Sequence, residues 1–213
     1  MIFRSHAYYL FLRGVFGAIA WFFFRLRIEG AEHLPRTGPV LAIANHASAV
    51  DPPIAGLALR RPARIMAKEE LLRIPLVGAF LRSGGAFPVR RGEADRRALR
   101  MALEFLAQGD VVLMFPEGTR SPNGRLGPVH PGAALLALRA GAPVLPIAIV
   151  GGHRAMPRGA WFPRRVSVVA RVGPPLAVPK LGERVDRETV ERWGATFRHA
   201  LAALLPDEQR PLD

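Results

Sequence analysis

The sequence predicts a single α/β domain with a mostly parallel central sheet flanked by helices, preceded by an apolar N-terminal helical segment. Three observations support this fold class. Short apolar runs of strand length alternate with stretches of helical periodicity, which is the pattern of parallel strands joined by crossover helices. Polar clusters follow two of the apolar runs, and the most apolar stretch of the chain stands at its N-terminus.

The composition is that of a folded, strongly basic protein without cysteine. The chain has 213 residues, half of them hydrophobic, a size that suits one domain with its own core. Its formal net charge is +13 at pH 7, and Lys68 and Lys180 are the only lysines among 30 basic residues. This charge favours anionic partners, such as phosphate groups, lipid headgroups, acidic carrier proteins or nucleic acid. The lack of cysteine excludes disulfides, thiolate metal sites and a cysteine nucleophile.

Residues 1–29 are predicted to form a helical segment that associates with a membrane. An uncharged apolar run, residues 14–24, lies between Arg13 and Arg25. This run is too short to span a bilayer, which takes about 20 apolar residues. Bulky aromatic and arginine residues follow it where a signal peptide needs small residues at its cleavage site. An interfacial helix is therefore favoured, and the alternative is a helix packed on the protein's own core.

The remaining elements are predicted to form one domain, residues 30–205, followed by a loose tail, residues 206–213. Apolar runs predict strands at residues 39–44, 86–89, 111–115, 144–150 and 166–172. Helical spacing predicts helices at residues 54–59, 95–107, 133–140 and 188–205. In sheets of this class, ligands bind beyond the carboxyl ends of the strands, which is where both polar clusters fall.

The first polar cluster, residues 45–52, combines a histidine with an aspartate. His46 and Asp51 are five residues apart, so they cannot share one face of a continuous helix and the chain must bend between them. Pro52 places Asp51 at the entry of the following helix. There the carboxylate can hold one imidazole nitrogen and leave the other as a base. Spacing alone favours the alternative, in which Asp51 is a helix cap and His46 a loop histidine.

The second polar cluster, residues 115–121, has the composition of a phosphate-binding loop. Gly118 lets the backbone approach a ligand closely, and Thr119 adds a hydroxyl group. Arg120 offers a planar fork that can bind a phosphate group through two hydrogen bonds. Glu117 can accept a hydrogen bond from a substrate hydroxyl or hold Arg120. The alternative is a polar β-turn with a local ion pair, which would contribute little at a surface.

Together the two clusters resemble the glycerolipid acyltransferase family, which includes the 1-acyl-glycerol-3-phosphate acyltransferases. The family's His-x4-Asp block is similar to residues 45–51, NHASAVD, and its FPEGTR block is intact at residues 115–120. Weaker blocks at residues 85–91 and 144–149 fall in the family's order. The resemblance as a whole extends over residues 30–172. One departure is visible: family members often carry a lysine before the glycine that corresponds to Gly132, whereas this chain has His130 and Pro131. His130 is therefore not included in the predicted site.

The resemblance implies transfer of a fatty acyl group from an acyl thioester to the free hydroxyl of lysophosphatidate in phospholipid synthesis. The donor would be acyl-coenzyme A or an acyl carrier protein, and glycerol 3-phosphate or another lysophospholipid stays open as the acceptor. His46 would be the general base, oriented by Asp51. The implied substrate-binding residues are Arg91, Glu117, Gly118, Thr119 and Arg120. No metal or other cofactor is expected, and the expected location is the cytoplasmic face of the cell membrane, bound peripherally or monotopically.

Three other classes of protein are compatible with parts of the sequence. A serine hydrolase is disfavoured because the chain has no Gly-x-Ser-x-Gly elbow. A nucleic-acid-binding protein is suggested by the charge, but no RNA-recognition signature accompanies the scattered arginines, so no nucleic-acid partner is expected. A lipid-binding protein without catalytic activity is disfavoured by the intact pair of His46 and Asp51.

Overall fold

The computed structural model describes residues 6–90, 95–157, 159–182 and 184–212. In these parts of the chain the strands are β1 (Arg27–Glu29), β2 (Val40–Ala44), β3 (Ala63–Lys68), β4 (Ala86–Val89), β5 (Val111–Met114), β6 (Val144–Val150) and β7 (Val169–Val172). The α-helices are α1 (His6–Phe24), α2 (Asp51–Ala58), α3 (Glu69–Arg73), α4 (Pro75–Ser83), α5 (Arg96–Ala107), α6 (Pro131–Ala140), α7 (Gly152–Ala155) and α8 (Arg187–Leu204). Short 3-10 turns lie at Ala31–His33 and Asp207–Gln209.

The strands form one sheet in the order β1-β7-β6-β2-β5-β3-β4. The strands β2 to β6 run parallel to one another, whereas β1 and β7 run in the opposite direction. The central strand β2 is buried along its whole length, and β5 and β6 are buried at all but their last residue. Strands that are covered on both faces carry such continuous apolar sequences. The predicted α/β class with a mostly parallel sheet is confirmed.

Successive side chains of a strand point to opposite faces of the sheet, and helices cover both of these faces. Val40, Ala42 and Ala44 of β2 belong to a buried cluster that also contains residues of α1 and α2. Leu41 and Ile43 point the other way, into a cluster with residues of α5, α6 and α8. The domain thus has three layers, with β2 at the centre of the middle one.

Several boundaries differ from the prediction. The strand β3 and the helices α3 and α4 fill residues 63–83, for which the sequence patterns predict no elements, and β7 begins at Val169 rather than at residue 166. The sheet also begins before residue 30, since Arg27–Glu29 pairs with β7. A short edge strand with charged ends carries too weak a pattern to be recognised from sequence.

The prediction of a loose tail over residues 206–213 is wrong for its first part. Gln209 is buried, and its side-chain oxygen accepts a hydrogen bond from the Gly151 N–H at 2.9 Å. Its backbone carbonyl accepts another from the Leu126 N–H at 2.9 Å. These bonds attach the tail to the loops after β5 and β6, because a buried amide group is stable only when its polar atoms are paired.

The N-terminal helix α1 continues through Arg13, which was expected to interrupt the apolar segment. Among the described residues, Ala7–Phe24 is the one helix long and apolar enough, by length and composition alone, to cross a membrane. The helix is therefore longer than the uncharged run of residues 14–24 on which the expectation of an interfacial helix was based. The helix also packs on the domain, with Ala20 and Phe24 in the core and the backbone carbonyls of Phe23 and Phe24 accepting bonds from residues 166 and 168.

Candidate active site

Both polar clusters lie at the carboxyl edge of the sheet, on loops that follow neighbouring strands. His46 stands two residues after the end of β2, and Glu117 stands three residues after the end of β5. Since β2 and β5 are parallel partners, their loops emerge side by side. The two loops are joined directly, because the Ser121 N–H donates to the His46 carbonyl at 2.7 Å.

The loop after β2 is fastened to the neighbouring strand β6 by Asn45. The side-chain amide of Asn45 donates to the Ile149 carbonyl at 3.2 Å, and its oxygen accepts from the Ile149 N–H at 2.6 Å. A primary amide can mimic a backbone peptide group in this way. His46 therefore follows a residue whose side chain is held on β6 by two hydrogen bonds.

His46 and Asp51 form a buried pair, as the bend between them predicted. The Nδ1 atom of His46 lies 3.1 Å from Oδ2 of Asp51. The same oxygen accepts hydrogen bonds from the backbone N–H groups of Ala47 at 2.7 Å and Ser48 at 2.6 Å. Asp51 is the first residue of α2, whose N-terminus favours a negative charge. The carboxylate is thus held both by the loop and by the helix.

The second carboxylate oxygen of Asp51 faces a glycine that the sequence patterns do not single out. A Cβ atom at Gly152, the first residue of α7, would lie 2.5 Å from Oδ1 of Asp51. That oxygen is buried without a hydrogen-bond partner. Only a residue without a side chain leaves room for Asp51 in its present position. The available signal was a Gly-Gly pair after an apolar strand, but such pairs are also common in ordinary turns.

Ser48 does not point its hydroxyl toward the histidine. The side chain is fully buried, and its Oγ donates to the carbonyl of Met156 at 2.9 Å. The hydroxyl proton is thereby committed to a backbone acceptor. Ser48 shapes the loop and is not placed to act as a nucleophile.

Glu117 is buried, and it supports the histidine rather than facing outward. Its Oε1 accepts the His46 N–H at 2.6 Å, and its Oε2 accepts the Gly127 N–H at 2.8 Å. Burial and, to a smaller extent, the charge of Asp51 raise the pKa of Glu117 to about 7, although the two N–H groups act in the opposite direction. The carboxyl group thus connects three loop segments, which neither sequence-based role for Glu117 anticipated.

Thr119 and Ser121 of the second cluster line an open cavity of about 330 Å³, most of whose other lining residues lie at positions 122–130. Gly118 has a left-handed backbone with φ 66°, and a Cβ atom there would lie 2.9 Å from the imidazole ring of His130. Thr119 is exposed and lines the cavity together with His130, and Arg120 is half-buried beside it. The loop therefore keeps its glycine for two reasons, the backbone angle and the contact with His130.

Arg91, the remaining predicted substrate contact, lies outside the described residues, and its role stays a prediction. Within the described parts of the chain, no three histidine or acidic side chains are grouped so that they could hold a metal ion.

The comparison with known families decides which class this site belongs to. The family model described as Acyltransferase matches residues 25–150, a range that includes both loops. This chain belongs to the acyltransferase family. The resemblance noted from the two sequence blocks is confirmed.

Proteins with sequences similar to this acyltransferase chain are named 1-acyl-sn-glycerol-3-phosphate acyltransferases. It is 34% identical over 140 residues to the chloroplastic 1-acyl-sn-glycerol-3-phosphate acyltransferase BAT2 of Brassica napus, a match covering 64% of this chain and 40% of that protein. The 1-acyl-sn-glycerol-3-phosphate acyltransferase of Pseudomonas aeruginosa is 31% identical, covering 87% of this chain and 72% of that protein. The chain thus spans about two fifths of the plant relative and most of the bacterial one.

The fold is also that of a solved acyltransferase. The crystal structure of the 1-acyl-sn-glycerophosphate (LPA) acyltransferase PlsC from Thermotoga maritima superposes with a TM-score of 0.74 at 26% sequence identity. The superposition covers 95% of this chain and 83% of that one. The architecture described above, including the N-terminal part, is therefore shared with an enzyme of the family.

Glu117→Gln is expected to destabilise this acyltransferase by about 1–3 kcal/mol, the cost of leaving a buried polar group unpaired. A glutamine side chain has one acceptor oxygen and one NH₂ group, which only donates. One of the two backbone N–H groups, that of His46 or that of Gly127, would therefore face the NH₂ group and lose its hydrogen bond. Urea unfolding followed by circular dichroism measures the change. A variant as stable as the wild type would contradict the two bonds described for Glu117.

The same variant tests the raised pKa of Glu117. Because this pKa rises from 4.5 when unfolded to about 7 when folded, the folded state binds more protons between these values. The stability contributed by the protonated carboxyl is complete below pH 4.5 and is lost as the pH rises through 7. As the pH rises between these limits, the free energy of unfolding of the wild type should fall relative to that of Glu117→Gln. If the two proteins gave parallel curves of unfolding free energy against pH, burial would not raise the pKa of Glu117.

Proposed function

We propose that this chain transfers a fatty acyl group from an acyl thioester to the free hydroxyl of lysophosphatidate, forming phosphatidic acid for phospholipid synthesis. The observation that carries the proposal is the buried pair of His46 and Asp51, whose loop is joined to the loop of residues 115–121 by the hydrogen bond from the Ser121 N–H to the His46 carbonyl. A base and an anion-binding loop at one sheet edge match an acceptor that has both a hydroxyl and a phosphate group. The names of the relatives agree with this acceptor.

In the proposed reaction His46 moves one proton in each direction. With Nδ1–H donated to Asp51, Nε2 takes the proton of the acceptor hydroxyl as its oxygen bonds to the thioester carbonyl carbon. The carbon–sulfur bond then breaks, and the imidazolium returns the proton to the departing thiolate. Asp51 stabilises the imidazolium and fixes the ring, so that the protein is unchanged after one turnover.

A direct transfer without an acyl-enzyme follows from the surroundings of the histidine. The only hydroxyl in the His46–Asp51 loop belongs to Ser48, and it donates to the Met156 carbonyl. Chemistry of this type needs neither a metal nor another cofactor, because a thioester is already an activated acyl donor. The donor is acyl-coenzyme A or an acyl carrier protein, and both are anionic partners for a chain of net charge +13.

The acceptor phosphate is proposed to bind at the loop after β5. Thr119 presents a backbone N–H group and a hydroxyl, and Arg120 supplies the guanidinium fork. Gly118 supplies the left-handed turn that leads into them, and its own N–H donates to the Phe115 carbonyl. Arg91 is proposed as a second cationic contact. Glu117 contributes indirectly, since both of its oxygens accept backbone N–H bonds.

The enzyme is proposed to work at the cytoplasmic face of the cell membrane, held by α1. From Ala7 to Phe24, every residue that the structure describes as exposed is apolar or glycine. Between Ala7 and Phe24 the polar side chains, including Arg13, are on the partly buried side. Because a water-exposed helix has the opposite pattern, the outer face of α1 suits a bilayer interior. Packing of its inner side on the domain favours a monotopic arrangement.

Arg120→Lys is expected to raise the KM for lysophosphatidate about 10- to 100-fold, the cost of losing charged hydrogen bonds of about 1.5–3 kcal/mol. Lysine keeps the charge but cannot bind two phosphate oxygens through a planar fork. Acyl-transfer assays with lysophosphatidate, glycerol 3-phosphate, a lysophosphatidylcholine and monoacylglycerol measure the effect.

Monoacylglycerol has no phosphate group, so it shows whether the effect of Arg120→Lys depends on the phosphate of the acceptor. Monoacylglycerol should be a poor substrate whose KM is the same for the wild type and Arg120→Lys. The matched control is Arg187→Lys on the exposed side of α8, which should change neither value. An equal loss with monoacylglycerol would mean that Arg120 supports the loop and does not bind phosphate. Transfer to none of the acceptors by the wild type would overturn the proposed function itself.

A further inference from the structure

A second apolar surface lies on the helices α3 and α4, which connect β3 to β4. Its large side chains are exposed to solvent, and Leu76 is 86% exposed. The other members of this surface are Leu71, Ile74, Val77 and Phe80. In α4, only Gly78 is buried, against the backbone of Leu72. A helix that turns its apolar residues outward leaves them without a partner in the folded chain.

From this surface we infer that α3 and α4 insert into an anionic lipid leaflet beside α1, as a second membrane-binding element. The inference rests on the proposed function only in taking the acceptor to be a membrane lipid. It assigns the membrane contact to residues 69–83 as well as to the N-terminal segment.

Two contacts join α4 to α1 and make their apolar faces continuous. The rings of Phe16 and Phe80 pack with centroids 5.6 Å apart. Near the start of α1, the hydroxyl of Tyr8 lies 2.9 Å from that of Ser83. The other end of α1 is attached before β7, so the helix extends from one side of the sheet toward the other. The exposed faces of α1 and α4 can therefore meet one flat surface together.

The charged side chains beside these apolar faces are paired on α3, where Glu69 and Glu70 contact Arg73 and Lys68, and are basic at α4 and at the end of α1. Arg82 of α4 donates to the Leu72 carbonyl, an uncharged acceptor that does not neutralise the guanidinium. Arg25 and Arg165 line a cavity of about 360 Å³ at the end of α1, where the Arg165 guanidinium stacks on Phe22. Apolar side chains bordered by arginine match acyl chains bordered by phosphate, and a bilayer with anionic headgroups supplies both.

The geometry also connects this surface to the site. The helix α3 starts directly after β3, at the same carboxyl edge of the sheet from which the loops of His46 and Glu117 emerge. Insertion of α3 and α4 would therefore bring that edge close to the headgroup layer. A lysophosphatidate molecule could then reach His46 with its acyl chain still in the bilayer.

The test is flotation of the full chain with vesicles made of equal parts phosphatidylcholine and phosphatidylglycerol. Leu71→Gln combined with Leu76→Gln should lower vesicle binding at least about tenfold, because two apolar side chains leave the lipid. The loss should persist at high salt, which screens charge but not apolar insertion. The matched control is Leu212→Gln, a similarly exposed leucine on the C-terminal tail, which should bind like the wild type.

Three further outcomes separate the alternatives. Vesicle binding by Leu71→Gln/Leu76→Gln equal to that of the wild type overturns the inference. A wild-type dimer that the double variant abolishes, with unchanged vesicle binding, also overturns it and makes the face a contact between two copies. A separate assay tests the proposed function, because acyl transfer to a short-chain lysophosphatidate dispersed in detergent does not require vesicle binding. If the wild type shows no transfer in this assay, the proposed function fails whatever the result of the flotation experiment. The folded double variant should keep that activity while losing activity on vesicle-bound acceptor.

Discussion

His46→Ala is expected to lower the turnover number of acyl transfer by at least about 10³-fold, the scale expected when a positioned general base is removed. The imidazole is the side chain that Asp51 holds in this loop. After its removal Asp51 keeps only the N–H groups of Ala47 and Ser48, and residues 45–50 offer no other basic side chain to take the proton. Single-turnover assays with lysophosphatidate and an acyl thioester measure the change, with circular dichroism to check folding.

Ser48→Ala is the control for the covalent alternative. It removes the only hydroxyl in the same loop and should keep activity within about tenfold of the wild type. The hydrogen bonds lost are the one to the Met156 carbonyl and a long one, 3.5 Å, from the Val50 N–H. A folded Ser48→Ala variant without activity would support an acyl-enzyme route. A His46→Ala variant with more than about a tenth of the wild-type turnover would remove the histidine from the mechanism.

Gly152→Ala is expected to lower turnover by about 10²-fold, the cost of displacing a catalytic group by roughly 1 Å. The added methyl group would stand 2.5 Å from Oδ1 of Asp51, well inside contact distance. The carboxylate must then move away, and with it the imidazole that it holds. Because Gly152 does not itself face the acceptor loop, KM for lysophosphatidate should change much less than turnover.

A second glycine provides the matched control. A Cβ atom at Gly56, in the same helix as Asp51, would meet no other atom within 4 Å. Gly56→Ala should therefore leave turnover unchanged, with stability equal to or slightly above that of the wild type, because alanine is favoured in helices. Equal turnover in Gly152→Ala and the wild type would show that Asp51 can be displaced without harm, and would weaken its proposed role.

The parts of the site that follow from local sequence were predicted correctly. The five-residue spacing of His46 and Asp51 requires a bend, and Pro52 marks a helix entry, so local geometry allows the pair. The family resemblance then favours it over a helix cap and a loop histidine. The parallel class of the sheet also follows from local patterns, since β2, β5 and β6 are continuous apolar runs. These features depend on periodicity and on backbone rules that act over a few residues.

The parts that depend on distant residues could not be predicted. The orientation of Glu117 is set by the N–H group of His46, 71 positions away, and by that of Gly127, ten positions away in the same irregular loop. Nothing in the sequence marks Gly152 as a neighbour of Asp51. Residues 63–83 were missed for a different reason: α4 turns its apolar side chains outward, so its pattern does not describe a helix packed on a core.

The fastening of Asn45 to Ile149 has a consequence for when the site comes into existence. These residues are 104 positions apart, and the bond between His46 and Glu117 spans 71 positions. Contacts of such long range form slowly, because each requires the closure of a large loop. A growing polypeptide that has not yet produced β6 has the histidine but lacks the neighbour that fixes its loop. Catalytic competence is therefore acquired late in the biosynthesis of each molecule.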